Sequence, residues 1–231
     1  MRSLAEFEVE VATLKVGFSG AQSDRRKLQP VMVNFFRRMD KALAGVATGL
    51  ACKAGCSYCC NYHVYISAPE AFALANALDE MPAGAQKDAV FDRLRDNVKV
   101  ASALSVAQHI ATNVRCAFLS DAGRCLAYEV RPGACRRHHS MSVEPCRVTY
   151  EDPTSTAENP MRVDVLETAA AFITAARQAV SHVKGDGLQY ELHGAVLEAS
   201  TNKVSMKRWR DGKSAFPSVR DRVDPKDQPN P

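Results

Sequence analysis

The stretch CKAGCSYCC, residues 52–60, places four cysteines within nine residues, and the last two are adjacent. The other four cysteines follow at positions 116, 125, 135 and 146. A chain of 231 residues with 46% hydrophobic residues can bury a core without disulfide bonds to hold it together. Eight thiols confined to the middle of such a chain indicate a metal or redox site flanked by scaffold.

The spacing of the first three cysteines predicts a ligand loop. Cys52, Cys56 and Cys59 follow the pattern C-x3-C-x2-C, which lets one loop direct three thiolates toward a common centre. A tight triad with a distant fourth ligand is typical of a [4Fe–4S] cluster. Cys60 must point away from its neighbour Cys59, so it is either a ligand of something else or a buried small side chain. Cys146 is balanced between the same two roles.

The later cysteines are spaced by nine, ten and eleven residues, as expected if successive strands or turns each bring one thiol to a shared point. The sequence therefore predicts seven metal ligands, with an iron–sulfur cluster favoured and zinc as the alternative: Cys52, Cys56, Cys59, Cys60, Cys116, Cys125 and Cys135.

Other cysteine motifs fit less well. Zinc ribbons pair two tight C-x2-C knuckles, and this chain has one tight group. CKAGCSYC resembles the cluster loop of radical S-adenosylmethionine enzymes, but neither the alternating strands and helices nor a Gly-Gly-Glu segment follows. A thioredoxin-like reading of residues 56–59 requires a helix that starts at the first cysteine, whereas Gly55 and Asn61 indicate a loop.

Basic and imidazole side chains accompany the cysteines. Arg131 and Arg136 could offset the negative charge of a thiolate cluster or bind a carboxylate. Three histidines are candidates for supporting roles: His138 and His139 could complete a site, although a hydrogen-bonding or surface role is favoured for each, and His63 could orient a thiolate. The remaining histidines, on predicted helices, are interpreted as ordinary helix residues: His109, His182 and His193.

Hydrophobic periodicity predicts a mainly α fold with a small irregular or β cysteine-rich lobe, in which helices flank a metal-binding core. One apolar stripe runs over residues 28–43, in a helix that continues toward Gly49. Ser67 and Glu70 form a capping box that opens a further helix after a short strand at 63–66. Another helix is expected to reach about Val114, and residues 116–135 read as a hairpin with its turn at 121–123.

Three regions are expected along the chain. Residues 1–150 form a helical and cysteine-cluster metal-binding domain, helices in 161–203 pack on it, and 210–231 form a disordered tail. From residue 203 onward, eight basic and four acidic residues account for the whole net charge of +4. That segment lacks the interleaved aromatic residues of a nucleic-acid-binding face, which argues against a nucleic-acid partner.

Composition also constrains location. The first residues contain no unbroken apolar run typical of a secretory signal, and no stretch of 18 apolar residues predicts a membrane helix. Thiols that stay reduced fit a cytoplasmic protein. The partner, whether a protein or a small molecule, is not identified by the sequence.

The ordered series of motifs resembles the YkgJ-type, or CxxCxxCC, cysteine-cluster family, described as zinc- or iron-chelating. The series consists of the Cys59-Cys60 pair, Cys-x-Phe-Leu at 116–119, Cys-x-x-Tyr at 125–128 and Arg-Pro-x-x-Cys-Arg at 131–136. The family's usual tyrosine and proline after the last motif are replaced by Arg137-His138-His139. Flagellin lysine methylases are similar in this region, so the resemblance implies methyl transfer as one use of the fold.

Three hypotheses follow from the sequence. The leading one is a protein that binds a [4Fe–4S] cluster. The second is a structural zinc module of an interaction protein, and the third is an enzyme with a cluster at its active site, acting by methyl transfer or redox chemistry.

Overall fold

The computed structural model describes residues 3–21 and 24–224. The fold is mainly α with one small sheet, as the sequence predicts. Ten α-helices lie in the described residues: α1 (Leu4–Ala21), α2 (Leu28–Ala44), α3 (Ala68–Glu80), α4 (Ala85–Ala103), α5 (Val106–Ile110), α6 (Gly133–Arg137), α7 (Glu144–Glu151), α8 (Val163–His182), α9 (Leu192–Thr201) and α10 (Ser205–Arg210).

Three short strands join distant parts of the chain. They are β1 (Tyr65–Ser67), β2 (Gln189–Glu191) and β3 (Arg222–Val223). The sheet order is β1-β2-β3 and both pairings are antiparallel, with Ile66 opposite Tyr190 and Tyr190 opposite Arg222. The central strand therefore ties the segment after the cysteine loop to the end of the described chain.

The helices surround one continuous core. Helix α1 packs mainly on α8, and α3 packs on α9. At the centre, Trp209 meets the edge of Phe18 and Phe72, while Phe216 meets Phe72 and Tyr190. This aromatic cluster is fully buried, so residues from both ends of the chain depend on each other for burial.

Several local predictions are confirmed. The stripe of α2 buries Leu28, Met32, Phe35, Met39 and Leu43. The capping box at the start of α3 is formed, because Glu70 accepts hydrogen bonds from both the backbone amide and the hydroxyl of Ser67. Gly123 adopts a positive φ of 71° in the predicted turn.

Other boundaries differ from the predictions. Helix α2 ends at Ala44 rather than near Gly49. Helix α4 ends at Ala103, because Ser105 and Gln108 form a second capping box that starts the separate α5. The 116–135 segment is irregular, with one isolated bridge between Leu119 and Cys125 in place of a regular hairpin.

The expectation of a disordered tail from residue 210 is wrong for residues 211–224. Phe216 and Ala215 are fully buried, and β3 extends the sheet. The segment lacks helical or strand periodicity because its apolar residues pack one by one from turns, which a periodicity argument does not detect. The rest of the predicted tail, residues 225–231, lies outside the described residues.

The described helices are all too short or too polar to cross a bilayer.

Candidate metal centre

The loop that carries the first four cysteines is a turn followed by a short 3₁₀ helix. The Cys56 amide donates to the Lys53 carbonyl oxygen at 3.0 Å, and Gly55 takes a positive φ of 88° between them. The 3₁₀ helix Tyr58–Asn61 then carries Cys59 and Cys60. Consecutive residues of a 3₁₀ helix differ by a third of a turn, but the thiols of Cys59 and Cys60 stay close enough to form a hydrogen bond.

Cys60 lies near three cysteines that are widely spaced in the sequence: Cys116, Cys125 and Cys135. The pKa of each of Cys116, Cys125 and Cys135 is raised, chiefly by burial of the thiol and further by the neighbouring Cys60; for Cys116 it rises to about 12. The Cys116 amide also donates to the Cys60 carbonyl oxygen at 2.8 Å. These four cysteines are called the inner set.

Three different local structures position the later members of the inner set. Cys116 begins the irregular segment after α5, Cys125 pairs with Leu119 in the isolated bridge, and Cys135 lies on α6. The turn at Gly123 contacts the first cysteine loop so closely that a Cβ there would lie 2.9 Å from the Gly55 carbonyl oxygen. The two cysteine-bearing loops therefore pack directly on each other.

A second group of neighbouring cysteines is called the outer set. It consists of Cys52, Cys56, Cys59 and Cys146. The pKa of Cys146 is raised by burial and by the charges of Cys52 and Cys56. Cys146 lies on α7, and the Ser140 amide donates to the Cys52 sulfur at 3.3 Å.

Cys59 connects the two sets. Its pKa is raised first by a hydrogen bond with Cys60, then by burial, and then by the charges of Cys60, Cys135 and Cys52. Cys59 thus has sulfur neighbours in both sets, and the tight loop meets the remote cysteines at this point.

The sulfur atoms are more widely spaced than the ligands of a single zinc ion. Among the described residues, which include all eight cysteines, no three sulfur atoms lie within 4.8 Å of one another. Tetrahedral zinc with Zn–S bonds of about 2.3 Å would place them about 3.8 Å apart.

Arg131 is the cation most closely associated with the inner set. Burial raises the pKa of Cys125 and Cys135, and the positive charge of Arg131 opposes that rise and helps to lower the pKa of Cys60. The Arg131 guanidinium lies 4.3 Å from the centre of the Tyr128 ring. Its Nε atom is buried without a hydrogen-bond partner. A buried donor of this kind, next to the thiols, is suited to hydrogen bonding with a negatively charged centre.

Cys60 itself is poised to ionise. The hydrogen bond from Cys59 lowers its pKa to about 7, burial opposes this shift, and Arg131 supports it. The thiolate is the form that binds metal, so the lowered pKa of Cys60 favours metal binding by this residue.

Arg136 has a mainly structural role. Its side chain is fully buried, it forms two hydrogen bonds with the Asp40 carboxylate at 3.0 and 3.3 Å, and it lies over the Phe36 ring. It also donates to the Tyr128 and Glu129 carbonyl oxygens. Helix α6, which carries Cys135, is fastened to α2 in this way.

The two histidines after Cys135 differ in their contacts. Both ring nitrogens of His139 are used, since Nδ1 donates to the Arg137 carbonyl oxygen and Nε2 accepts from the Arg162 amide, each at 2.8 Å. His139 therefore has no nitrogen left for a metal. His138 packs edge-on against Tyr62, and its buried Nε2 has no hydrogen-bond partner.

The other histidines depart from their predicted roles. His63 is paired with a carboxylate and not with a thiol, since its Nε2 lies 2.8 Å from Asp221 Oδ2. His193 is buried and pairs with Glu191 through Nδ1, while its Nε2 accepts from the Ala117 amide at 3.4 Å. His193 thereby supports the backbone next to Cys116. Sequence reasoning missed this role, because a helical histidine carries no signal of its tertiary partner.

Comparison with known proteins assigns the cysteine region. Residues 51–159 match the model of a family described as "CxxCxxCC: Putative zinc- or iron-chelating domain". This match confirms the resemblance predicted from the motif series. No curated protein and no solved structure matches the chain.

Proposed function

We propose, since residues 51–159 match the CxxCxxCC family model, that this chain binds metal through its cysteines and that the inner set holds a [4Fe–4S] cluster. The four ligands are the thiolates of Cys60, Cys116, Cys125 and Cys135. The observation that carries this proposal is the packing of the loops that bear these cysteines, since the Cys116 amide donates to the Cys60 carbonyl oxygen at 2.8 Å and the Gly123 turn, just before Cys125, lies against Gly55.

The chemistry of the inner set suits an iron–sulfur cluster. Four thiolates are the usual ligands of [4Fe–4S], and no three of the described sulfur atoms are grouped within 4.8 Å of one another as the ligands of one zinc ion would be. Such a cluster with four thiolates carries net negative charge, which Arg131 can offset through its charge and its unpartnered Nε. Hydrogen bonds and nearby charge of this kind also set the reduction potential of a bound cluster.

The outer set supplies a second group of four thiols in this proposal. Cys52, Cys56 and Cys59 are the tight triad, and Cys146 is the distant fourth ligand that the triad spacing calls for. The adjacent Cys59 and Cys60 then belong to two neighbouring centres, and a hydrogen bond joins their thiols in the structure. The buried imidazole of His138, which packs against Tyr62, offers a further nitrogen ligand for the outer set.

Metal analysis of anaerobically purified protein tests the proposal. We expect a coloured protein that contains iron and acid-labile sulfide, with about four iron atoms per chain assigned to the inner set. Cys135→Ser should remove that iron and sulfide. Cys146→Ser, the matched control in the outer set, should retain it.

Stoichiometric zinc without iron would refute the iron–sulfur assignment and favour the structural zinc module. Loss of the same iron in Cys146→Ser but not in Cys135→Ser would show that the ligand sets are wrongly divided. Circular dichroism of each variant separates loss of metal from loss of fold.

A further inference from the structure

A second group of potential metal ligands lies outside the cysteine sets. It consists of His63, just before β1, His109 on α5 and Asp221, just before β3. The sheet brings these distant positions together, because the Glu191 amide on β2 donates to the Asp221 carbonyl oxygen at 2.9 Å. Asp221 is also outside the segment that matches the CxxCxxCC family.

The three side chains direct one ligand atom each at a common point. Asp221 Oδ2 lies 2.8 Å from His63 Nε2 and 3.6 Å from His109 Nδ1. The two imidazole rings are perpendicular, with their centres 4.7 Å apart. All three ligand atoms lie within 4.8 Å of one another.

His109 is the least explained member of the group. The residue is 2% exposed, and its Nδ1 has no hydrogen-bond partner. Buried polar atoms in folded proteins almost always have a partner, so this nitrogen points to a missing ligand. It faces the Asp221 carboxylate but remains beyond hydrogen-bond distance.

Tyr65 fixes the orientation of the carboxylate. Its hydroxyl donates to Asp221 Oδ1 at 2.5 Å, which leaves Oδ2 directed at the two imidazoles. Metal ligands commonly receive such an outer hydrogen bond, which holds the ligand atom in place.

We propose that His63, His109 and Asp221 bind a divalent transition-metal ion, with Zn²⁺ or Fe²⁺ as its physiological occupant. Two imidazole nitrogens and one carboxylate oxygen are a ligand set suited to these ions. Three protein ligands leave coordination positions open for water or a small ligand. A cavity of about 420 Å³ is lined in part by Asp221.

The bound ion would connect two regions of the chain. His63 and His109 belong to the CxxCxxCC segment, whereas Asp221 belongs to the final described segment. The proposal is independent of the cysteine centres, since none of its ligands is a thiol.

Cobalt is a suitable probe because it reports its ligands by colour. Co²⁺ is titrated into protein whose cysteine-bound metal is retained, and visible and near-ultraviolet absorption are recorded. We expect one equivalent to bind with visible bands of nitrogen and oxygen ligation and without thiolate-to-cobalt charge transfer. Competition by Zn²⁺ and, anaerobically, by Fe²⁺ identifies the preferred ion.

Variants assign the ligands. His109→Gln and Asp221→Asn should weaken cobalt binding by about 100-fold or more, and Tyr65→Phe by about 10- to 100-fold. His182→Gln removes an exposed histidine and should leave binding unchanged.

Two results would overturn the proposal: no cobalt bound outside the thiolates of the wild-type protein, or equal affinity in Asp221→Asn. If a variant fails to fold, proton NMR of the wild-type cobalt form gives the answer. Paramagnetically shifted imidazole protons from two histidines support the site, and their absence contradicts it. Iron and sulfide content, measured in parallel, reports separately on the cysteine centres.

Discussion

The ion pair between Asp40 and Arg136 offers a direct test of how the cysteine lobe is attached to the helical scaffold. Asp40→Ala leaves the Arg136 guanidinium, which is fully buried, without its counter-charge. The two hydrogen bonds to backbone carbonyl oxygens and the contact with the Phe36 ring remain. The substitution therefore isolates the charge pair that joins α2 to α6.

The expected magnitude follows from burial. Removing one partner of a buried ion pair costs about 3–5 kcal/mol. Here the Asp40 side chain is 39% exposed, so solvent already screens the pair and the lower end of that range applies. The gain in helix propensity from Asp to Ala, about 0.5 kcal/mol, reduces the net loss to about 2.5 kcal/mol.

Asp92→Ala is the matched control. Asp92 pairs with Arg95 inside α4, but the two side chains are 70% and 57% exposed. An exposed pair contributes about 0.2–1 kcal/mol, which the same propensity gain nearly cancels. The two variants therefore differ in the burial of the pair and not in helix propensity.

Thermal unfolding at equal metal loading measures the difference. For a chain of this size, about 2.5 kcal/mol corresponds to a midpoint lower by about 5–10 °C. Asp40→Ala should show that decrease, and Asp92→Ala should stay near the wild-type midpoint. Equal midpoints for the two variants would refute the view that this buried pair fastens the Cys135 helix.

Three further predictions concern the last described segment and the cysteine loops. Phe216→Ala should lower the free energy of unfolding by about 3–5 kcal/mol, since the ring is fully buried against two other aromatic rings; urea denaturation measures it. Gly123→Ala should destabilise the protein and speed iron release more than Gly49→Ala, because both have a φ of 71° but only the first Cβ would strike neighbouring backbone. Thermal midpoints and iron-release rates compare the two, and equal effects would contradict the loop contact. In metal-free protein, alkylation of Cys60 should increase as pH rises through about 7, since its pKa is lowered and the thiolate reacts. Cys59→Ala should move that midpoint upward, as measured by mass spectrometry of the labelled peptide.

The cysteine lobe shows where sequence reasoning succeeds and where it stops. The motif series indicated a resemblance to the CxxCxxCC family, and the family match over residues 51–159 confirms it. The ligand set stays a prediction. In the structure the Cys60 carbonyl oxygen accepts from the Cys116 amide, and Tyr62, two residues after Cys60, contacts the Cys146 carbonyl oxygen, which are contacts that spacing alone did not give. Which sulfurs meet depends on side-chain directions within a 3₁₀ helix and an irregular segment, and neither has a sequence period.

The group formed by His63, His109 and Asp221 could not be predicted from the sequence. His109 read as an ordinary helix residue, and Asp221 fell in the segment expected to be disordered. Only the antiparallel pairing of β2 with β3 places Asp221 beside His63.

The sequence by itself predicted local features of the fold, because each of them depends on residues a few positions apart. These features are the apolar stripe of α2, the capping box of α3 and the turn at Gly123. The mutual positions of the sulfurs, the buried Asp40–Arg136 pair and the His63–His109–Asp221 group depend on contacts across 50 to 160 positions. Those contacts are fixed when helices and strands bury a shared core, because burial, and not local propensity, decides which remote side chains face one another.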